Sequence, residues 1–247
     1  MMTGMKESTT TVAKRKSDPK TIIREYVEAL VIALCAALLI RTFVIQAFRI
    51  PTGSMEETLL VGDFLLVNKF IYGAHIPFTD WTLPALREPK QGDVVVFKYP
   101  RNMKQDYIKR CIAVGGQTVE IRDKVVYVDG KEFPNPPKSK FIDPTIKPAG
   151  FTEYDIEPRG AGNRDNYGPI SIPEGHLFVM GDNRDNSLDS RYWGYLPREN
   201  VIGEAIIIYF SWDKNVPLYN IIRKIRWMRI TKLISFVEFT QVNLNYS

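Results

Sequence analysis

GDVVVFKYPRNMKQDYIKRCIAV, residues 92–114, decides the fold class. It holds two runs, Asp93–Tyr99 and Tyr107–Val114, rich in β-branched and aromatic residues, the first of them opened by a Gly-Asp pair. Such runs between turn residues mark short strands. The same texture recurs outward in Asp63–Phe70 (DFLLVNKF), again after Gly-Asp, and in Thr118–Val128 (TVEIRDKVVYV), broken near Asp123. His176–Met180 and Val201–Phe210 (VIGEAIIIYF) continue it, and Asp129-Gly130 is a further turn. Many short strands without helical periodicity predict a mostly β, antiparallel domain over residues 49–217. Within it, residues 131–170 carry seven prolines from Pro134 to Pro169, together with Gly and charge, and predict a loop-rich insertion.

Upstream the pattern changes. Residues 1–24 are polar and basic, with a Ser/Thr cluster at Ser8–Thr11, and are expected to form a disordered tail. EYVEALVIALCAALLIRTFVIQAF follows at residues 25–48. Its uncharged core, Ala29–Ile40, is twelve residues, short of the roughly 20 that cross a bilayer. Reading through Arg41 to Phe48 reaches that length, with Arg41 snorkelling toward an interface. A cleaved secretory signal needs small residues at its cleavage site, and Ile45-Gln46-Ala47 places a bulky Ile there. A buried helix is the other alternative. The reading adopted is a single transmembrane anchor at 25–48. Lys14, Arg15, Lys16, Lys20 and Arg24 then place the N-terminus in the cytoplasm and everything after Phe48 outside.

The formal net charge is +5. Residues 1–24 carry six Lys/Arg against two Asp/Glu, and residues 218–247 five against one, so each end contributes +4. The remaining 193 residues balance at −3, from 22 basic and 25 acidic side chains. A basic excess at the two ends suits anionic lipid better than a nucleic-acid groove, and no nucleic-acid partner is expected. The segment 218–247 intersperses apolar residues with basic ones; it reads equally as membrane-surface-associated or as a last strand with a basic edge. Two cysteines, Cys35 and Cys111, and two histidines, His75 and His176, leave no room for a histidine-rich or CxxC metal site, and no metal or other cofactor is expected.

Three clusters carry candidate chemistry. Ser54 follows Gly53 in Ile50–Met55, a turn just after the apolar segment. A serine needs a base, and neither His75 in its Gly-Ala-His-Ile-Pro turn nor His176 has a distinctive context. A lysine serves when burial lowers its pKa, and Lys109 in Asp106–Arg110 is the candidate. On a strand, Tyr107, Lys109 and Cys111 share one face, with Ile108 and Arg110 on the other. The third cluster is GDNRDNSLDSRYWG, residues 181–194, with ten polar residues in fourteen and an Asp189/Arg191 pair close enough to bond.

Taken in order, these stretches resemble type I signal peptidases, the leader peptidases of bacteria. Ile50–Met55 is similar to the family's nucleophile box, Gly62-Asp63-Phe64 to the box after it, Gly92–Val95 through Asp106–Arg110 to its lysine box, and Gly181–Gly194 to its last. The resemblance implies Ser54 as nucleophile and Lys109 as general base. It implies an oxyanion hole from the Ser54 backbone N–H and the Thr52 hydroxyl, where many relatives have serine. It implies Ser187 orienting the Lys109 amine, and Asp182, Arg184, Asp189 and Arg191 in structural support. Phe48, Ile50, Pro51, Met55, Leu59, Leu65, Tyr107 and Ile108 would line shallow apolar pockets. The implied fold is a set of coiled antiparallel sheets with the insertion as a smaller cap. The implied substrates are secretory precursors cut after small residues in an Ala-x-Ala-like pattern, at the outer face of a bacterial cytoplasmic membrane. Cys111 stands where many relatives carry alanine, and the insertion lacks a cysteine pair that some possess.

The rivals are a soluble Ser–Lys self-cleaving repressor, a peptidase specialised for one secretion or conjugation substrate, and an anchored, non-catalytic binding module. A repressor would carry an N-terminal DNA-binding domain where this chain has its apolar segment.

Overall fold

The computed structural model describes residues 19–73, 81 and 83–234. Helix α1 (Pro19–Phe43) forms one compact unit through Ile40, and the remainder of the described chain forms a second. Ala, Leu and Ile fill the middle of α1, and its large side chains from Ile23 to Ile40 are solvent-exposed. Among the described residues no helix is long and apolar enough to cross a membrane. Arg24, Glu25 and Glu28 precede the twelve-residue core Ala29–Ile40, and Arg41 follows it. The apolar run 25–48 also divides. The helix ends at Phe43, and Ile45–Arg49 becomes strand β1, paired antiparallel with β2 (Asp63–Asn68). Most of the basic tail 1–24, including the Ser/Thr cluster, lies outside the described residues, as does His75.

The second unit is built on antiparallel strands, as the sequence predicts. Beyond β2 come β3 (Val94–Tyr99), β4 (Asn102–Val114), β5 (Thr118–Arg122), β6 (Val125–Val128), β7 (Lys131–Glu132), β8 (Tyr167–Ser171) and β9 (His176–Met180). A one-turn helix α2 (Ser190–Trp193), strands β10 (Leu196–Pro197) and β11 (Val201–Ser211), and helix α3 (Ile221–Lys224) follow. Seven strands make one sheet in the order β1-β2-β11-β3-β4-β9-β10, and four make a smaller sheet, β7-β6-β5-β8.

Strand β3 lies near the centre of the large sheet, and Val94, Val95, Val96 and Phe97 are all buried. That explains an apolar run without alternation: both faces are covered. Val94 and Val96 pack with Ile50, Met55, Leu59, Leu65, Val67, Ala205 and Ile208. Val95 and Phe97 face the other way, toward Cys111, Leu177, Val179 and Trp193. The break near Asp123 is a two-residue turn, with Asp123 at φ 48° and Lys124 at φ 71° between paired Arg122 and Val125. Positive φ at both central residues matches strand twist in a tight hairpin.

The pairing of β4 matters most for the site. Against β3 it runs from Val94↔Arg110 to Tyr99↔Asn102, but β9 accompanies it only from Val114↔Leu177 to Arg110↔Met180. Gly181 then turns away. Over residues 102–109, β4 has β3 on one side and no strand on the other among the described residues.

Residues 131–170 are largely irregular, yet they are tied down by bonds such as Asn163 Nδ2 to the Phe151 carbonyl (2.7 Å). The C-terminal segment does not form a last strand up to Ile234; it makes short helical turns held to β11 by the bridges Trp212↔Ile225 and Ile207↔Leu233. Residues 235–247 lie outside the described residues.

Candidate active site

Ser54 sits on the turn after β1, and Lys109 on β4 where β9 has left. Lys109 Nζ lies 2.8 Å from Ser54 Oγ and 3.0 Å from the Ile108 carbonyl. The lysine is 3% exposed. Burial pushes its pKa down to about 8, against the opposing pull of Asp189 and Asp182. Removing an ammonium from water disfavours its charged form, and neither aspartate is close enough to pair with it and cancel that effect. The face pattern expected for β4 holds: Tyr107 and Cys111 pack into the cluster around Phe97, whereas Ile108 packs against the cluster around Val94.

The loop 181–194 closes the site from behind. Asn183 N–H donates to the Ser54 carbonyl (3.1 Å) and Asn183 Nδ2 to the Gly53 carbonyl (3.1 Å). Gly181 is required by contact: a Cβ there would stand 2.4 Å from the Ser54 carbonyl oxygen and 2.2 Å from Ser187 Oγ. Arg110 reaches Asp182 through two parallel bonds (2.8 and 2.7 Å), and Arg191 reaches Asp189 likewise (2.9 and 2.8 Å). All four are buried, and the arginines hold both aspartates below the usual carboxylate range despite burial. Arg184 is also buried, and its guanidinium makes no hydrogen bond among the described residues. The Ser187 hydroxyl is buried beside Gly181 and makes no bond to Lys109, whose amine is turned to Ser54 and the Ile108 carbonyl.

A cleft of about 260 Å³ opens over the pair, lined by Pro51, Thr52, Gly53, Ser54, Asp106–Lys109, Asn186 and Leu188. A smaller hollow of about 30 Å³ adjoins it between Phe48–Pro51 and Asp106–Ile108. Phe48, Ile50, Pro51, Tyr107 and Ile108 border the two spaces. Met55, Leu59 and Leu65 do not; each is fully buried in the core behind Ile50, because alternation along β2 and the turn aims them inward. Gly53, Asp106, Asn186 and Leu188 line the cleft without having been singled out. Half-exposed Leu188 was the one detectable from sequence, as the lone apolar residue between Asp182 and Arg191 in the polar loop.

Residues 23–212 match the family model described as "Signal peptidase, peptidase S26". The chain belongs to the peptidase S26 family. Among its relatives, signal peptidase I of Pseudomonas fluorescens is 35% identical over 225 residues, covering 82% of this chain and 78% of that one. Signal peptidase I of Aquifex aeolicus is 36% identical over 231 residues, covering 76% and 85%. A crystal structure of a signal peptidase I from Enterococcus faecalis is 33% identical and covers 48% of this chain and 97% of its own, with a TM-score of 0.37. S26 membership bears on the rivals: the matched span includes all of β1 to β11, and so both Ser54 and Lys109.

Proposed function

We propose that this chain is a membrane-anchored serine endopeptidase that removes N-terminal signal peptides from secretory precursors, with Ser54 as nucleophile and Lys109 as general base. The observation that carries the reading is the 2.8 Å approach of a buried lysine, its pKa lowered to about 8, to a serine hydroxyl at the floor of an open cleft. A neutral amine accepts a proton; an ammonium does not. Near neutral pH the depressed pKa leaves a working fraction of Lys109 uncharged.

Ser54 Oγ attacks the scissile carbonyl carbon, and its proton passes to Lys109 Nζ as the new C–O bond forms. The Ser54 backbone N–H and the Thr52 hydroxyl, which lines the cleft, stabilise the oxyanion. When the C–N bond breaks, Lys109 returns the proton to the leaving amine. Water then attacks the acyl ester, again with Lys109 as base, and Ser54 is regenerated.

The substrate lies extended along the free side of β4, since an unpaired edge offers main-chain donors and acceptors to an incoming strand. The 30 Å³ hollow beside Ile50 and Ile108 suits a small side chain such as alanine. The membrane part of the reading rests on exposed apolar surface in both units. Along α1 that surface runs from Ile23 to Ile40. In the C-terminal segment Leu218, Tyr219, Ile221, Ile222, Trp227 and Met228 are exposed beside Arg223 and Arg226, a pattern suited to an anionic lipid surface. The basic residues 1–24 then face the cytoplasm and the β domain the outside of a bacterial cytoplasmic membrane.

The test is cleavage of a precursor with an Ala-x-Ala site by the detergent-solubilised full chain, beside Ser54→Ala and Lys109→Ala. Wild type should release the mature protein and neither variant should. Product from either variant, with contaminating peptidase excluded, overturns the pair. Topology is read from spheroplasts: external protease should digest the β domain, and its protection overturns the orientation.

A further inference from the structure

The geometry points to Lys140, in the loop-rich insertion, as a positioning residue for the nucleophile turn; this rests on the reading of Ser54 as nucleophile. The insertion meets the loop 181–194 at several points, among them Asp143, Glu157 and Arg164, but it is Lys140 that lies beside Asn183. Lys140 N–H donates to the Asp182 carbonyl (2.8 Å), and its carbonyl accepts from Arg184 N–H (2.9 Å), a parallel bridge opposite Asn183. From that fixed backbone the side chain extends to the nucleophile turn. Lys140 Nζ lies 3.1 Å from Glu56 Oε2 and 3.7 Å from Glu57 Oε1.

Those carboxylates belong to the turn that presents Ser54. Glu56 N–H donates to the Gly53 carbonyl (3.0 Å), and Glu56 Oε2 also approaches Asn183 Nδ2 at 3.5 Å. Glu57 has φ 77°, a conformation that a side-chain-bearing residue adopts at a cost. Two adjacent carboxylates on a strained turn repel one another, and the ammonium between them offsets that repulsion. Asn183 thus holds the turn by its carbonyls, while Lys140 holds it by its charge. Lys140 is itself bonded through its backbone to Asp182 and Arg184, the chain neighbours of Asn183.

Exposed ion pairs contribute little to folding, and Lys140 is 31% exposed, so its removal should scarcely change stability. Catalysis is more demanding. A serine displaced by a fraction of an ångström from its base reacts far more slowly, although substrate still binds.

The experiment compares wild type with Lys140→Met, Lys140→Arg, Lys140→Glu, Glu56→Lys and the exchanged pair Lys140→Glu/Glu56→Lys, in steady-state cleavage of one precursor. Lys140→Met should lower kcat about fivefold to thirtyfold with KM within about twofold, the signature of lost alignment rather than lost binding. Lys140→Arg should restore most of the rate, and the exchanged pair should exceed both of its single variants. The acid-limb pKa should stay at the wild-type value in every variant, because Lys109 is untouched. Wild-type rates should also decline toward those of Lys140→Met as salt is added. Unchanged kcat in Lys140→Met, or a fall matched by an equal loss of Tm, overturns the positioning role while leaving the Ser54–Lys109 reading intact. A wild type that cleaves no precursor overturns both.

Discussion

Lys109 and Arg110 are neighbours on β4, both cationic in water and both buried, yet the two faces of the strand treat them oppositely. On one face Arg110 meets Asp182 in two parallel bonds, and burial is offset by a full counter-charge. On the other, Lys109 meets a hydroxyl and a carbonyl but no paired carboxylate, and its proton is loosened. The difference teaches how one strand can hold a site together and strain it at once. A paired charge is structural because it cannot easily change; an unpaired one is reactive because it can.

The largest effects should separate the two faces by function. Ser54→Ala and Lys109→Ala should each reduce single-turnover cleavage by about 10⁴-fold or more, with the circular dichroism of the β domain unchanged. On the opposite face, Asp182→Ala leaves Arg110 buried without its carboxylate. It should cost about 3–5 kcal/mol in denaturant unfolding of the protein. A loss under 1 kcal/mol would show that water relieves Arg110 and would break the comparison.

The contrast sharpens when the lysine itself is removed. Its pKa is about 8 folded against 10.5 unfolded, so between those values the unfolded state binds more protons and stability rises with pH. Below pH 8 the charged lysine is a liability. Lys109→Met should therefore stabilise the fold at pH 6 by up to about 3 kcal/mol while abolishing activity. A destabilised Lys109→Met would mean that packing of the lysine stem outweighs its charge. For the wild type, log kcat/KM should climb with unit slope and level off near pH 8. An acid limb near pH 10 would remove Lys109 as base. Ser187→Ala should shift that limb by less than about one unit, since Ser187 makes no bond to Lys109 in this structure.

The legible parts of this molecule are those governed by local pattern. The runs 93–99 and 107–114 read as strands because β-branched and aromatic residues are frequent in them, and β3 and β4 lie there. Ser54 and Lys109 stand out only because several ordered stretches resemble one family; burial and the 2.8 Å contact join residues fifty-five positions apart, which no local signal describes. Met55, Leu59 and Leu65 look the same in sequence whether they line a cleft or fill a core. Their direction is set by how the turn after β1 packs on β2. The boundary between α1 and β1 was hidden for a related reason: residues 44–48 are apolar enough for either, and pairing with β2 decides. Lys140 gave no signal at all, being one lysine in an irregular, charged insertion.

The early departure of β9 from β4 has a consequence for where errors fall. Main-chain bonds along a free strand edge are the same for every sequence, so they hold an incoming chain without choosing its position. On the proposed reading, choice is left to the 30 Å³ hollow, which would meet side chains on one side of that chain only. In an extended chain every second residue faces the same side. A slip of one residue presents the wrong row and a slip of two presents the right row again. Imprecise cutting by this enzyme should therefore step in twos, and a precursor spoiled at its preferred residue should yield mature ends displaced by an even number of positions.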